Sequence, residues 1–445
     1  MSYSSKFGKR PAEFASRNSH SNITNDSTVQ SFLKDCHLPP KSEDIDISNT
    51  LIEKIENCNN PIKYIIAIDG GYSEVPVRKE FPAAQIAFFQ FGGLFFSVND
   101  LDNIASQPFI DPEDMSKLKR LERFKVTIPT KNITYSTNNT LTHSVRNALH
   151  DFFIEKRDAS SFAETLKWLL FKEYKPTPEA IWTLSQCPYC QARSIELKRS
   201  DFTQGFTIPC PHCKKTIYLV DTLRLHEAID DELGAGGILG YLVVTLEQIL
   251  LVHIIKIILE IKPSLLKDFL FIKDGPLAFF GQTANLHKPM KSLVKFLFSF
   301  HELHLVGLEK SGAFVEHAME IQTKLKPGSV LLLSNDYIYK YIIPGKADPD
   351  QPYGKTTYYG NKIIFKSTND YVYVATLPTT DIIVNPAKKD FRNLDIICNN
   401  LSRLKCDMYD SSLFPIALAN KLVSLSNHPS AILLEQFAKQ KISRK

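Results

Sequence analysis

Two aspartates stand where chemistry could be built: Asp69 in Ile68-Asp69-Gly70-Gly71 and Asp274 in Lys273-Asp274-Gly275-Pro276. Each follows a hydrophobic run, Tyr64–Ile68 and Phe269–Lys273, that reads as a buried strand. A carboxylate at the exit of a core strand, released into a turn by glycine, is held rigidly while facing solvent. Hard oxygen donors held in this way suit a divalent cation. Two of them from distant parts of the chain can share Mg2+ or Mn2+ if their strands lie side by side. Singly, each Asp-Gly pair is also the commonest way to end a strand, so the pairing of the two carries the argument.

A second constellation is made of sulfur. Cys187-Pro-Tyr-Cys190 and Cys210-Pro-His-Cys213 are two Cys-x-x-Cys knuckles with nineteen residues between them. Each knuckle is a tight turn aiming two thiolates at one tetrahedral centre, and the β-type residues around them fit a small ribbon. Four thiolates close the coordination shell, so the zinc expected here is structural. His212 is a bystander in this reading. Lys198, Arg199, Lys214 and Lys215 leave two uses open for the ribbon, phosphate contact or protein docking. The remaining cysteines, Cys36, Cys58, Cys398 and Cys406, lack ligand spacing and read as reduced structural thiols.

Phosphodiester cleavage with a metal calls for a third acidic ligand. The apolar helical pattern Ile238–Ile261 carries Glu247 and Glu260. If this helix runs antiparallel to the strand after it, Glu247 lies about 21 Å from the helix end at the helical rise. Asp274 lies about 17 Å along the strand. The match sets Glu247 level with Asp274 and sends Glu260 to the far end. Leu246, Ile249, Leu250 and Leu251 surround Glu247 with apolar side chains, among which an unpaired carboxylate is costly.

The elements that must position these groups follow from patterning. Residues 1–30, rich in Ser, Asn and Thr, read as a mobile tail; 31–182 and 221–430 as two parts of one domain; 183–220 as an inserted ribbon; 431–445 as a C-terminal tail. In the first part we expect a strand over 61–69 and a hairpin with arms at 81–90 and 94–99 around Gly92-Gly93. Helices are expected over 115–124, 140–157 and 160–174. In the second part, helical patterns at 223–231 and 238–261 flank Gly234-Ala235-Gly236-Gly237, which follows no strand and reads as a helix break. A β-α-β-α rhythm then runs over 269–273, 289–300, 303–308 and 311–324. Strands are expected at 329–333, 362–366 and 371–377, and closing helices at 391–404 and 415–426. This alternation favours a mixed α/β sheet covered on both faces.

Composition narrows the setting. The chain has 445 residues, is 43% hydrophobic and 23% charged, and carries a formal charge of +5, which permits nucleic acid without requiring it. The first ten residues lack the apolar core of a signal peptide. Glu247, Gln248, His253, Lys256 and Glu260 interrupt the most apolar stretch, which reads as a buried helix in a cytoplasmic protein with no membrane partner.

With these residues assembled, the chain resembles NurA-type nucleases, closest to a bacterial branch with an inserted zinc ribbon. Ile68-Asp69-Gly70-Gly71, Asp274-Gly275-Pro276-Leu277 and Val306-Gly307-Leu308-Glu309-Lys310-Ser311 fall in that family's order, with the glutamate helix ahead of the second string. The resemblance covers roughly residues 60–430 and implies an RNase H-like mixed sheet flanked by helices. It also implies a homodimer, Mn2+- or Mg2+-dependent DNA cleavage, and a HerA-type hexameric ATPase as partner in DNA end processing, repair or defence. By position, Asp69 and Asp274 become the strand aspartates, Glu247 the helix glutamate and Lys310 the lysine after the next strand. On sequence alone Lys310 is equally an exposed strand-end lysine. One departure stands out: the family's C-terminal Tyr-Pro and Ala-His are here Phe414-Pro415 and Ala419-Asn420, with Tyr409 and His428 nearby. A non-catalytic DNA-binding or ATPase-docking subunit built around the ribbon is the rival reading. Nucleotidyl transfer ranks below both for want of a nucleotide-phosphate loop.

Overall fold

A computed structural model describes residues 17–38, 40–47, 52–99, 121–137, 139–157, 160–406, 413–425 and 430–442. It divides into two units, Met1–Ile45 and Asp46–Lys445. In the first, helices Arg17–Thr24 and Ser27–Lys34 meet at Asp26, whose carboxylate caps the second by accepting from the Thr28 and Val29 amides. The described part of the segment expected as a tail is thus helical.

The second unit is organised by a nine-stranded mixed sheet. Its strands are β1 (Ile52–Lys54), β2 (Tyr64–Arg78), β3 (Ala84–Ser97), β4 (Leu121–Lys131), β9 (Phe269–Asp274), β10 (His304–Glu309), β11 (Ser329–Leu332), β12 (Gly360–Lys366) and β13 (Val372–Pro378). They lie in the order β1-β11-β12-β13-β10-β9-β2-β3-β4, and β5 (Ile181–Gln186), β6 (Arg193–Lys198), β7 (Thr207–Pro209) and β8 (Thr216–Tyr218) belong to the cysteine ribbon. β9 is parallel to both β2 and β10, and every other neighbouring pair is antiparallel. The expected mixed α/β sheet with helices on both faces is therefore present.

The pleat divides the core in two. Ile66, Ile68, Phe269 and Phe271 point to one face, where helices Leu141–Ile154, Phe162–Leu170, Leu239–Ile261 and His287–Phe300 pack. Ile65, Ala67, Leu270 and Ile272 point to the other, under helices Leu394–Arg403 and Phe414–Val423. Helix Leu239–Ile261, with the turn before it, is long and apolar enough to cross a membrane by composition, yet 67% of its apolar window is buried in the fold. Its buried polar side chains have partners: His253 Nδ1 lies 2.7 Å from Thr165 Oγ1, and Lys256 bonds Ser160 inside the fold and reaches the exposed Glu260.

Four local expectations are corrected. Gly92-Gly93 does not turn the chain. β3 runs straight through, because β2 and β4 pair with it on both sides and Gly93 lets Ile254 Cδ1 come within 3.3 Å of where its Cβ would be. The helix expected over 115–124 is strand from Leu121 onward, its alternating Phe124, Val126 and Ile128 turned into the core; the start of that span lies outside the described residues. Residues 223–231 form short 3-10 turns, not an α-helix, and Gly234, at φ +114, approaches the Thr130 carbonyl too closely for a side chain. The segment expected as a C-terminal tail holds helix Ser430–Ile442, whose Glu435 pairs with Lys79 of the β2–β3 connection at 3.0 Å.

Candidate metal centre

Asp69 and Asp274 come from adjacent parallel strands. Ile68 is in register with Lys273, so the next residue of each strand, Asp69 and Asp274, stands at one level. Asp274 behaves as its sequence predicts: β9 ends there, and Gly275 turns away at φ +78 with its amide on the Leu308 carbonyl. Asp69 does not. β2 continues to Arg78, so this carboxylate sits mid-strand opposite Gly92. Gly70 is needed for space, not for a turn. A Cβ there would lie 3.0 Å from Phe91 Cβ and Val243 Cγ2 and 3.1 Å from Glu247 Oε1. Gly70→Ala should cost about 1–3 kcal/mol in chemical denaturation, the range for overpacking a tight core, and should displace Glu247.

Helix Leu239–Ile261 leads through the turn at Pro263–Asp268 into β9, which runs back beside it, and so brings Glu247 to this end of the strand. Glu247 is buried, its Oε2 2.7 Å from Lys273 Nζ, and its Oε1 faces Gly70. Lys310, one residue beyond β10, places Nζ 2.9 Å from Asp274 Oδ2. Alternation puts Asp69, Asp274 and Lys310 on one face of the sheet, and Gly70 and Lys273 on the helix face. Glu247 reaches in from that second face.

The electrostatics single out Asp69. Its Oδ1 accepts from the Gly70 amide at 2.7 Å, while its buried Oδ2 has no hydrogen-bond partner among the described residues. Burial, then the charges of Asp274 and Glu247, push its pKa up to about 9, against the pull of Lys310. Glu247 is pushed up to about 7 by burial, opposed by Lys273. Three carboxylates thus feel one another with two ammonium groups between them. Among the described residues, however, only the four cysteines bring three or more ligand atoms within 4.8 Å of one another. The acidic trio is wider than that, Glu247 being drawn to Lys273 and Asp274 to Lys310. An unpartnered buried oxygen within a cluster of like charges fits a hard cation.

Lys273 and the spatial role of Gly70 escape a reading of strings and spacing. The available signal was a lysine in the strand Phe269–Asp274 on the same side as Phe269 and Phe271; a cation on a core-facing position demands a buried anion. The departure at the C-terminus falls on helix Phe414–Val423, in which Ala419 is buried and Asn420 exposed. This helix ends near the aspartate, the Val423 carbonyl lying 3.5 Å from where a Gly71 Cβ would stand. Tyr409 and His428 lie outside the described residues. Of the aromatic residues in Phe88–Phe96, Phe89, Phe91 and Phe96 are buried, and Phe91 packs on Phe124, Phe152 and Phe162.

The four knuckle cysteines converge as expected. Cys187 and Cys213 sulfurs are 3.9 Å apart, as are those of Cys190 and Cys210. The two knuckles are built alike: the amides of Cys187 and Cys210 donate to Ala192 and Lys215, and the residues after the second cysteines, Gln191 and Lys214, take φ 59 and 60. β5 (Ile181–Gln186) pairs with β6 (Arg193–Lys198), and β7 (Thr207–Pro209) with β8 (Thr216–Tyr218). The set could hold a metal ion such as zinc. His212 is exposed and outside it. Wild-type protein should carry close to one zinc per chain by elemental analysis and Cys210→Ser protein almost none; equal contents would refute the site. The apolar residues of the ribbon, among them Leu184, Ile195, Phe202 and Ile217, belong to the same core as the helix face of the sheet.

The NurA domain family model matches residues 63–262, a span that includes the ribbon. The structure is similar to that of the NurA nuclease from Sulfolobus solfataricus, at 9% identity over 96% of this chain and 98% of that one, with a TM-score of 0.36. It is similar also to a structure of NurA, at 12% identity over 95% and 97%, with a TM-score of 0.27. No curated protein matches the chain.

Proposed function

We propose, from the premise that the chain carries a NurA domain over residues 63–262, that it is a metal-dependent DNA nuclease hydrolysing phosphodiester bonds on an RNase H-like core. The observation that carries this reading is the buried, unpartnered Oδ2 of Asp69, level with Asp274 on the next strand and within the field of Glu247. The strand arrangement supports the core: β2, β3 and β4 form an antiparallel trio, and β9 and β10 follow parallel to β2.

In this reading Asp69, Glu247 and Asp274 hold Mn2+ or Mg2+, which all-oxygen donors favour. Such an ion, when bound, activates water and offsets charge on the phosphate. Asp69 offers Oδ2, Glu247 Oε1 and Asp274 Oδ1, since the other oxygens face the Gly70 amide, Lys273 and Lys310. Lys310, with its side chain 25% exposed, can turn from Asp274 to a phosphate oxygen and add positive charge where negative charge builds. The ribbon's zinc is structural. A HerA-type hexameric ATPase as the motor feeding DNA, a homodimer and a cytoplasmic location are proposed on the family resemblance.

The test is incubation of purified protein with linear DNA in Mn2+, Mg2+ or chelator, beside Asp274→Ala. Cleavage that needs the divalent ion and vanishes in the variant is expected; undiminished cleavage by the variant would overturn the assignment. A second reading, a non-catalytic DNA-binding or ATPase-docking subunit, is favoured by the exposed Asn420 in place of the family histidine. DNA bound but uncut in every metal, with the ATPase present, would establish it.

A further inference from the structure

We propose that Lys273 is a positioning residue that fixes Glu247 and the strand end bearing Asp274 at one spacing; the proposal rests on the metal-site reading above. Lys273 is 1% exposed on a strand otherwise apolar up to Asp274. An ammonium so deep is tolerable only where fixed acceptors surround it. Two do: Glu247 Oε2 at 2.7 Å and the backbone carbonyl of Asp274. Its Nζ also lies 3.7 Å from where a Cβ on Gly275 would be, beneath the turn that releases Asp274.

The pleat gives this contact its meaning. Lys273 points to the helix face while Asp274 points to the other, so a single ammonium ties helix Leu239–Ile261 to the turn through which Asp274 leaves the sheet. Glu247 is left with Oε2 committed and Oε1 turned to Gly70, the side on which Asp69 stands. It therefore presents one oriented oxygen to the site. Lys310 is no substitute, being 25% exposed and bonded to Asp274 Oδ2 on the opposite face.

Groups that orient a metal-binding side chain from behind are worth about 10–100-fold in metal affinity or activity. Lys273→Met should weaken Mn2+ binding, read by electron paramagnetic resonance, by a factor in that range and lower kcat correspondingly, with the KM for DNA moving less than about threefold. Lys273→Arg, which keeps the charge, should recover most of the affinity. Because Lys273→Met alone strands a buried carboxylate and risks the fold, the same change is made in Glu247→Gln protein, where no charge is stranded. There it should alter Mn2+ affinity less than about twofold, since Lys273 acts through Glu247. Equal losses in both backgrounds, or no loss in the wild-type background, would overturn the proposal. Wild-type protein that binds Mn2+ through Asp69 and Glu247 yet never cuts DNA would overturn the nuclease reading and leave this one standing.

Discussion

Asp69→Asn is expected to lower DNA cleavage about 10³-fold, the scale of losing one preorganised electrostatic contact in an active site, while making the metal-free protein more stable. The substitution keeps the size of the side chain and an oxygen for the Gly70 amide. It removes a buried carboxyl group that its surroundings push up to about 9. Below the ordinary carboxylate value of 3.8 both the folded and the unfolded wild-type chains hold the proton, and Asp69 costs nothing. As pH rises from there to about 9 the unfolded chain releases its proton and the folded one retains it, so wild-type stability drains away with pH across that window. Asparagine has no such slope. Melting curves in chelator should show a gap in favour of the variant that widens between about pH 4 and pH 8, at up to about 1.4 kcal/mol per pH unit, the slope of one retained proton. Added Mn2+ should raise the melting temperature of wild type and leave the variant unmoved. A variant that cuts within tenfold of wild type, or a gap insensitive to pH, would contradict this account.

Arg146→Ala should destabilise the protein by about 3–5 kcal/mol, the cost of removing one partner of a buried ion pair. Arg146, on helix Leu141–Ile154, donates through Nε and Nη2 to the two oxygens of Asp221 at 2.7 Å each, and through Nη2 to the Thr216 carbonyl at 3.0 Å. Its guanidinium also lies 4.8 Å from the Tyr189 ring and 5.0 Å from that of Tyr218. Tyr189 is inside the first cysteine knuckle, Thr216 and Tyr218 in β8, and Asp221 just after it. One side chain thus holds the ribbon to the helix from three directions. Truncation leaves the Asp221 carboxylate buried with the Tyr218 amide and no fork. Urea denaturation of Arg146→Ala, Asp221→Ala and the double variant should show the double costing less than the sum of the singles. Arg146→Lys should rescue little, because an ammonium cannot span both oxygens. A loss below about 1 kcal/mol in Arg146→Ala would refute this role.

What the sequence disclosed depended on whether the governing contacts were local. The Cys-x-x-Cys knuckles are complete within four residues each, and the strands Phe269–Asp274 and His304–Glu309 are apolar enough to declare themselves. The level match of Glu247 with Asp274 followed from two rise values and a short connection. Glycine was the weak point, because its role is set by neighbours distant in the chain. Gly70 yields to Val243 and Glu247, Gly93 to Ile254, and neither need is visible in its own string. The first residues of β4, up to Phe124, fall in a helical pattern because their charged flank masks the alternation that β3 imposes. Lys273 carries no signal in its own string, because its anion, Glu247, lies twenty-six residues earlier on a different element.

The position of β9 between β2 and β10 bears on how the molecule can be made and dissected. Until synthesis passes Asp274, the parallel edge of β2 has no partner, and the long apolar helix has only part of the surface it will finally cover. A fragment cut near residue 262 would carry an open strand edge together with that helix, and should aggregate more readily than the full chain. The span matched by the family model thus ends before β9, the strand that pairs with its β2, has been made.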